Sequence, residues 1–137
     1  MQLTARDQQR LEGVHPDLVR VVTRAAELTD IPFMVIEGMR TRERQAQLLR
    51  QRKTTTMNSR HLTGHAVDLV PLSDQDGDGD IEISWRWHDY FRLAPVIKAV
   101  AVELGIPLEW GGDWRDFKDG PHWQLPWKTY PASRGTP

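Results

Sequence analysis

The chain has 137 residues, a length that fits one domain and allows a core without disulfides or structural metals. Its 18 Lys and Arg residues nearly balance its 19 Asp and Glu residues, which argues against nucleic acid as the main partner, because phosphate binding usually shows as a basic excess. There is no cysteine, so metal ligands must be histidines or carboxylates. No stretch suits a signal peptide or a membrane span, which predicts a soluble cytosolic chain without membrane insertion.

The first third of the chain predicts two helices followed by a strand. Residues 1–15 are polar with scattered leucines, and we expect a short helix that ends at Gly13. Apolar residues then recur at helical spacing after Pro16, which suits the first turn, and they predict an amphipathic helix over 16–29. The segment 33–37, Phe-Met-Val-Ile-Glu, is typical of a strand.

A further helix is expected after this strand. Thr41 is a good N-cap residue, so we predict a helix over 42–52 with Ala46 and Leu49 facing the core. The arginines of this segment indicate a solvated face. The polar segment 53–58 then predicts a loop beside a cleft.

The second half of the chain predicts one long helix among short strands. Residues 66–70 are typical of a strand that ends at Pro71. The longest helix is expected over 89–105, where a glycine can cap the last turn. Two more strands are expected over 106–110 and 122–125. An irregular tail, residues 126–137, completes the chain.

The stretch from Ser59 to Asp68 holds the first candidate functional residues. It offers a histidine, His61, and the carboxylate of Asp68 seven positions later. Because side chains alternate along a strand, Asp68 should point away from the face that carries Val67 and Leu69. A carboxylate in the middle of an apolar strand is costly unless it is paired or bound to a metal. This pattern indicates a function for Asp68.

A second motif near the other end of the chain offers another carboxylate and another histidine. Asp119 and His122 lie three positions apart. A catalytic zinc keeps three protein ligands and one position for water, and His61, Asp68 and His122 would form such a set. Asp119 would accept a proton from the water and deliver it to the leaving amine. Arg40 is our candidate for stabilising the developing negative charge, since a guanidinium donates two hydrogen bonds at once.

The same residues also allow a purely structural interpretation. A histidine seven positions from an aspartate often arises by chance, and 119–121 has the composition of a turn. His65 competes as a ligand, because it lies four positions after His61, a spacing that suits two ligands on one helix. The strand that follows argues against a helix there. We interpret His15 and His88 as structural.

Together the two motifs resemble the signature of the M15 zinc peptidases, the family of D-Ala-D-Ala carboxypeptidases and dipeptidases. The matching residues are Ser59, His61, Gly64, Ala66 and Asp68 in the first motif and Asp119 and His122 in the second. The size of the chain is similar to that of the phage endolysin branch, the L-alanyl-D-glutamate endopeptidases. The similarity extends to residues 14–19, 38–41, 84–87 and 122–125. One position departs from the common pattern, because the last predicted strand reads His-Trp-Gln instead of ending in an acidic residue.

This resemblance implies a fold and a set of site residues. The fold would be α+β, a small and mainly antiparallel sheet that carries the zinc site, with helices packed against it, as in D-Ala-D-Ala peptidases and hedgehog-like domains. One catalytic domain would span residues 1–137 and act as a monomer. The implied site residues are the zinc ligands His61, Asp68 and His122, the general base Asp119, the substrate and transition-state contact Arg40, and the substrate contact Ser59.

The resemblance also implies a reaction and a biological setting. The substrate would be the stem peptide of peptidoglycan, cut between L-Ala and the D-Glu that follows. An enzyme made in the host cytoplasm without a signal peptide would reach the wall through a separate pore and lyse the cell. Two alternatives stay open: a D,D- or L,D-carboxypeptidase or dipeptidase of the same family, and a non-catalytic zinc- or wall-binding module. The near-neutral charge makes a nucleic-acid enzyme a distant third.

An acidic, glycine-rich insert at 73–83 resembles part of a calcium-binding loop. Its carboxylates are Asp74, Asp76, Asp78, Asp80 and Glu82. Glycine at the sixth position and isoleucine at the eighth match an EF-hand loop, but Trp85 occupies the twelfth position, where a bidentate glutamate belongs. We expect Glu82 to substitute, and we expect calcium to order the insert and raise activity. The alternative is an exposed hairpin turn.

Overall fold

The structure is a computed structural model, and it describes residues 1–53 and 59–131. Most of the loop predicted at 53–58 and the end of the predicted tail, residues 132–137, lie outside the described residues. Within the described ranges, no helix is long and apolar enough to cross a membrane.

The helices lie close to the segments that their sequence patterns predict. In the described chain they are α1 (Ala5–Arg10), α2 (Pro16–Leu28), α3 (Arg42–Arg50) and α4 (Trp87–Leu104). Helix α2 starts where expected, because Pro16 occupies its first turn and His15 Nδ1 accepts a hydrogen bond from the backbone N–H of Asp17 at 3.0 Å. Helix α4 ends at Gly105, as predicted. Local capping chemistry therefore explains these boundaries.

Helix α3 is rotated relative to the predicted orientation. Thr41 caps it as expected, since its hydroxyl accepts a hydrogen bond from the backbone N–H of Arg44 at 3.0 Å. The buried positions are Gln45 and Leu48, whereas Leu49 is 39% exposed. The prediction that Leu49 faces the core is therefore wrong. The physical reason is that Gln45 turns inward to accept a hydrogen bond from a buried arginine.

The strand pairs described in the sheet are all antiparallel. The strands are β1 (Phe33–Glu37), β2 (Ala66–Ser73), β3 (Glu82–Ile83), β4 (Glu109–Trp110) and β5 (His122–Gln124). Their order is β1-β2-β5-β4, and β3 pairs with the far end of β2. Strand β2 continues past Pro71, because the carbonyl of Pro71 accepts a hydrogen bond from Ser84. Strand β4 is shorter than the predicted strand at 106–110, since only its last two residues pair with β5.

The two faces of β2 have different surroundings. Val67 and Leu69 belong to the hydrophobic core together with residues of α2 and α4, among them Val22 and Ile97. Asp68 lines a cleft on the opposite face, as the alternation along a strand predicts. The predicted α+β fold, a small antiparallel sheet with helices packed against it, is confirmed.

Candidate active site

His61 lies in a one-turn 3-10 helix, Arg60–Thr63, immediately before β2. Ser59 caps this turn, because its hydroxyl accepts a hydrogen bond from the backbone N–H of His61 at 3.2 Å. The Nδ1 of His61 lies 2.7 Å from the carbonyl oxygen of Gly38, which can only accept a hydrogen bond, so Nδ1 carries the proton. In the neutral ring Nε2 therefore carries the lone pair, and it lies 3.2 Å from Oδ1 of Asp68.

Asp68 and His122 lie opposite each other on β2 and β5. Oδ1 of Asp68 is 3.5 Å from Nδ1 of His122 and 3.2 Å from Nε2 of His61. One ligand atom from each of the three residues lies within 4.8 Å of the other two. The sheet register and the turn before β2 thus bring together residues that are far apart in the sequence.

Hydrogen bonds behind the two rings aim one nitrogen of each at this point. Nε2 of His122 lies 2.7 Å from Oε1 of Gln124 and donates to it, which leaves Nδ1 to face Asp68. The carbonyl of Gly38 orients His61 in the same way through the other nitrogen. Two oriented imidazole nitrogens and one carboxylate are the donor set of a catalytic zinc. The residues present therefore fit this metal.

The charges of Asp68 and the two histidines are mutually stabilising in the metal-free protein. Burial alone would raise the pKa of Asp68, but attraction to His61 and His122 outweighs burial and holds this pKa well below its usual range. Burial alone would lower the pKa of His122, but its interaction with Asp68 raises this pKa above the ordinary value. A bound metal would take the place of ring protons, so metal binding and proton release are coupled.

Two glycines permit the close approaches on which the site depends. Gly64 follows the turn of His61 with a φ of +76°, and a Cβ there would lie 2.2 Å from the carbonyl oxygen of Gly13. A Cβ on Gly111 would lie 2.3 Å from the backbone oxygen of Asp119 and 3.1 Å from Cβ of His122. A larger residue at Gly111 would therefore displace Asp119 or His122, and one at Gly64 would push the turn of His61 away from the backbone of Gly13.

His65 lies outside the candidate site, in agreement with its exclusion as a ligand. Its Nδ1 is 2.6 Å from Oγ1 of Thr63, and its ring centroid is 5.5 Å from that of His15. Burial, aided by the positive charges of Arg60 and His15, lowers the pKa of His65 to about 4. His65 is therefore neutral near pH 7 and has a structural environment.

Arg40 adjoins the cluster and is held by side chains that the sequence reasoning missed. Its Nε and Nη2 donate to the two carboxylate oxygens of Glu37 at 2.9 and 2.8 Å. Its Nη1 donates to Oε1 of Gln45 at 2.7 Å, and Nη2 lies 3.7 Å from Oδ2 of Asp68. Glu37 is also in register with Asp68 across β1 and β2. A charged residue at the end of an apolar strand was an available signal for Glu37, whereas the sequence offered no signal for Gln45.

The loop that carries Asp119 is tied to the sheet and to the turn after β4. Three hydrogen bonds hold it: Asp119 N–H to Gly111 O at 3.0 Å, Trp110 Nε1–H to Gly120 O at 2.7 Å, and Leu69 N–H to Pro121 O at 2.8 Å. The backbone N–H of His122 donates in turn to the carbonyl of Asp119 at 3.2 Å. Asp119 is thus part of a turn, and that turn fixes it beside a candidate ligand.

The carboxyl group of Asp119 has the electrostatic character of a base. Although the residue is exposed overall, the cleft walls desolvate its carboxyl group, and this burial together with the charge of Asp68 raises its pKa. The positive charges of His122, His61 and Arg40 act in the opposite direction but are weaker. A carboxylate with a raised pKa beside a hydrolytic centre suits proton transfer.

These residues line one cleft with a volume of about 980 Å³. The three candidate ligands, Arg40, Ser59 and Asp119 all contribute to its surface. Its aromatic lining residues are Trp85, Trp114, Phe117 and Trp127. Phe117 is 81% exposed and has a φ of +54°, an unusual conformation for a bulky side chain. The cleft is large enough for a peptide segment.

Residues 1–125 match the model of a protein family described as phage L-alanyl-D-glutamate peptidase. The chain belongs to this family. The resemblance that the two sequence motifs indicated is therefore confirmed.

Individual relatives agree with this family assignment. The L-alanyl-D-glutamate peptidase of Escherichia phage T5 is 32% identical over 116 residues, which are 82% of this chain and 80% of that protein. The enzyme of the same name from Listeria phage A118 is 35% identical over 105 residues, 77% of this chain but only 34% of that protein. This chain thus spans about a third of the Listeria phage relative. The solved structure of the L-Ala D-Glu endopeptidase ChiX of Serratia marcescens is 45% identical, with a TM-score of 0.85 and coverage of 96% of this chain and 95% of that one.

The acidic insert of this family member forms the exposed hairpin between β2 and β3. Asp74 accepts hydrogen bonds from the backbone N–H groups of Gly77 and Gly79, each at 2.9 Å. Oδ1 of Asp76 accepts one from the N–H of Asp78 at 3.1 Å. The loop therefore satisfies several carboxylate oxygens with its own backbone, as aspartates in turns commonly do.

Only part of the predicted calcium set converges in this hairpin. Asp74, Asp76 and Asp78 place one oxygen each within 4.8 Å of the others, whereas Asp80 and Glu82 are not part of that group. Glu82 instead pairs with Ser73 at the start of β3. The hairpin geometry predicted as the alternative is present, and calcium binding stays a prediction.

Proposed function

We propose that this chain is a zinc-dependent peptidoglycan endopeptidase that hydrolyses the L-Ala–D-Glu bond of the stem peptide. The observation that carries the proposal is the convergence of His61, Asp68 and His122 beside the partly desolvated carboxylate of Asp119 in one cleft. The names of the relatives support the same reaction. Because the match covers only 34% of the Listeria phage relative, the activity of the whole protein belongs to this proposal.

The metal would be held by His61, Asp68 and His122. When bound, zinc supplies Lewis acidity and lowers the pKa of a water molecule towards about 7. The rings are already oriented by Gly38 and Gln124, so little rearrangement is needed for binding.

Asp119 moves the proton in the proposed reaction. Its carboxylate accepts a proton from the attacking water and later delivers it to the nitrogen of the D-Glu residue, while the carbon–nitrogen bond of the amide breaks. The products are a free carboxyl group on L-Ala and a free amino group on D-Glu. The raised pKa of Asp119 favours the first half of this transfer, since an ordinary carboxylate would be a weaker base.

Arg40 and Ser59 are assigned to the substrate. Arg40 lines the cleft beside Asp68, and its guanidinium is fixed by Glu37 and Gln45, so an oriented cation would be available to the amide oxygen as it gains negative charge. Ser59 lines the same cleft and fixes the turn of His61. The enzyme would reach the wall after release from the cytoplasm through a separate pore, and would act there as a monomer.

Mass spectrometry of digested peptidoglycan tests the reaction. We expect muramic acid fragments that end in L-Ala, together with peptides that begin with D-Glu. A D,D- or L,D-carboxypeptidase, which is the second candidate, would remove only residues from the far end of the stem peptide. That product pattern would contradict the endopeptidase proposal.

An Asp119→Ala variant tests the mechanism and the non-catalytic alternative. We expect one bound zinc per chain and a loss of activity of about 10²–10⁴-fold, because general acid–base catalysis has that magnitude. Asp116→Ala is the matched control, since Asp116 is exposed and close in sequence but is not part of the cleft lining. A wild-type rate in the Asp119 variant would refute the assigned mechanism.

A further inference from the structure

Gln124 is the hydrogen-bond partner of His122 on β5. Its side-chain amide could bind the imidazole ring either through its oxygen or through its NH₂ group. The two residues lie two positions apart on β5, so their side chains share one face of the sheet. Both are buried, and Oε1 of Gln124 is 2.7 Å from Nε2 of His122. In this arrangement the carbonyl end of the amide faces the ring and the ring donates from Nε2.

The reversed amide would produce a different network at His122. Its NH₂ group would then donate to Nε2 of His122, and the ring proton would move to Nδ1. Nδ1 faces Oδ1 of Asp68 at 3.5 Å, so the proton would lie between the two candidate ligands. That arrangement would block the nitrogen that the metal needs, because a metal ligand must offer a lone pair.

Glu109 distinguishes between these two arrangements. It is in register with Gln124 across β4 and β5, and its Oε2 lies 3.5 Å from Nε2 of Gln124. An ionised carboxylate can only accept hydrogen bonds. The observed amide presents its NH₂ group to Glu109, whereas the reversed amide would bring its carbonyl oxygen against the carboxylate and be repelled.

We propose that Glu109 is a positioning residue that acts through Gln124 to keep the proton of His122 on Nε2 and the lone pair on Nδ1. This inference rests on the proposed role of His122 as a zinc ligand. It assigns a function to two residues outside the predicted ligand set, Glu109 and Gln124. It also predicts that a neutral amide at position 109 permits the arrangement that cannot bind metal, because such an amide can donate to the reversed Gln124 as well as accept from the observed one.

The first measurement is the ring tautomer of His122 in the metal-free protein, read from ¹⁵N chemical shifts at a pH where the ring is neutral. We expect a protonated Nε2 in the wild-type protein and a substantial population protonated on Nδ1 in Glu109→Gln. Glu103→Gln on α4 is the matched control, since Glu103 is paired with Arg24 at 3.3 Å in a different part of the molecule. If Glu109→Gln keeps the proton on Nε2, the inference is overturned.

The second measurement is zinc affinity by competition with a chromophoric chelator. We expect Glu109→Gln to weaken zinc binding by about tenfold, the lower end of the usual effect of residues that orient a ligand. The exchanged pair, Glu109→Gln with Gln124→Glu, should restore both the affinity and the Nε2 proton, because a carboxylate at 124 can only accept from His122. Failure of the exchanged pair to improve on the single variant would also overturn the inference, since the single effect would then be a structural disturbance.

The two measurements separate this inference from the proposed function. The tautomer is read without metal, so it does not depend on whether His122 binds zinc, and the comparison of Glu109→Gln with the wild-type protein keeps the influence of Asp68 the same in both. An absence of zinc binding in the wild-type protein would refute the proposed function while the tautomer result still decided the role of Glu109.

Discussion

Strand β2 leads to a cluster of possible metal ligands at each of its ends, and the two clusters differ in how they are held. Asp68, near the start of β2, lies with His61 and His122, whereas the aspartates at 74–78 follow the other end. Both groups bring three ligand atoms within 4.8 Å of one another. The first group is largely buried and the second is fully exposed.

The ligand atoms lie close together in both clusters, but the residues around the two clusters differ. In the cleft, residues outside the cluster orient each ligand: Gly38 behind His61, Gln124 behind His122, and Arg40 near Asp68. In the hairpin, the groups that donate to Asp74 and Asp76 are backbone N–H groups of the loop itself. Convergence of acidic groups therefore indicates a metal site only when other groups aim their lone pairs at one point.

The largest effect is expected when an aspartate is replaced by asparagine in the cleft and, for comparison, in the hairpin. Asp68→Asn removes the only carboxylate among the candidate zinc ligands, and we expect zinc affinity to fall by more than about 100-fold, beyond the effect of losing an orienting residue. Asp76→Asn in the hairpin should leave zinc affinity unchanged, and it should leave wall digestion unchanged when calcium is absent from the buffer. Chelator competition measures both variants. Equal zinc affinity in the wild-type protein and in Asp68→Asn would remove Asp68 from the ligand set.

A smaller effect is expected when Arg40 is replaced by lysine, which keeps the positive charge but lacks the planar guanidinium group. Arg40→Lys cannot reproduce the fork that binds both oxygens of Glu37 together with Gln45. We expect activity to fall by about tenfold or more while zinc binding is kept, as measured by turnover of purified peptidoglycan. Arg44→Lys is the control, because Arg44 is exposed and contacts Glu37 only at 3.6 Å. Full activity in Arg40→Lys would exclude a role for the fork.

The pH dependence of stability should distinguish the paired charges of the cleft from the exposed charges of the hairpin. The lowered pKa of Asp68 adds stability above its unfolded value of about 3.9, and this is lost as the pH falls through the folded value. The raised pKa of His122 adds stability below about 6.5, which is lost as the pH rises through the folded value.

The measurement is the difference in Tm between the metal-free wild-type protein and metal-free Asp68→Asn. We expect this difference to be largest between about pH 4 and pH 6.5, where both charges are present in the wild-type protein. The difference between the wild-type protein and Asp76→Asn should be nearly constant over the same range. A flat profile for Asp68→Asn would show that the charges of the cluster are not coupled.

The smallest expected effect is that of calcium on the hairpin. Calcium added at about ten times its Kd to the zinc-loaded enzyme should raise Tm by roughly 5 °C and increase turnover, since binding to the folded state alone stabilises it. Asp74→Asn should abolish both changes. If neither Tm nor turnover responds in the wild-type protein, the hairpin is an exposed turn and the calcium prediction is wrong.

Residues with a strong local signal were predicted well from the sequence. The helix that starts at Pro16, the strand at 33–37 and the cap at Thr41 all appear in the structure, because each depends on neighbouring residues alone. The isolated carboxylate of Asp68 was recognisable because burying a charge on an apolar strand requires a partner. The end of β2 was not recognisable from the sequence, because its extension past Pro71 depends on a hydrogen bond from Ser84, which is distant along the chain.

The sequence by itself determined which chemical groups are available in this protein: two histidines and two carboxylates in two motifs, and Arg40 outside them, with no cysteine to compete. Only the tertiary structure decided how they are aimed. The register of β2 with β5 sets Asp68 opposite His122, and that of β4 with β5 sets Glu109 opposite Gln124. Ring orientation and the pKa of a carboxylate depend on atoms from distant parts of the chain, and these interactions have no local signature in the sequence.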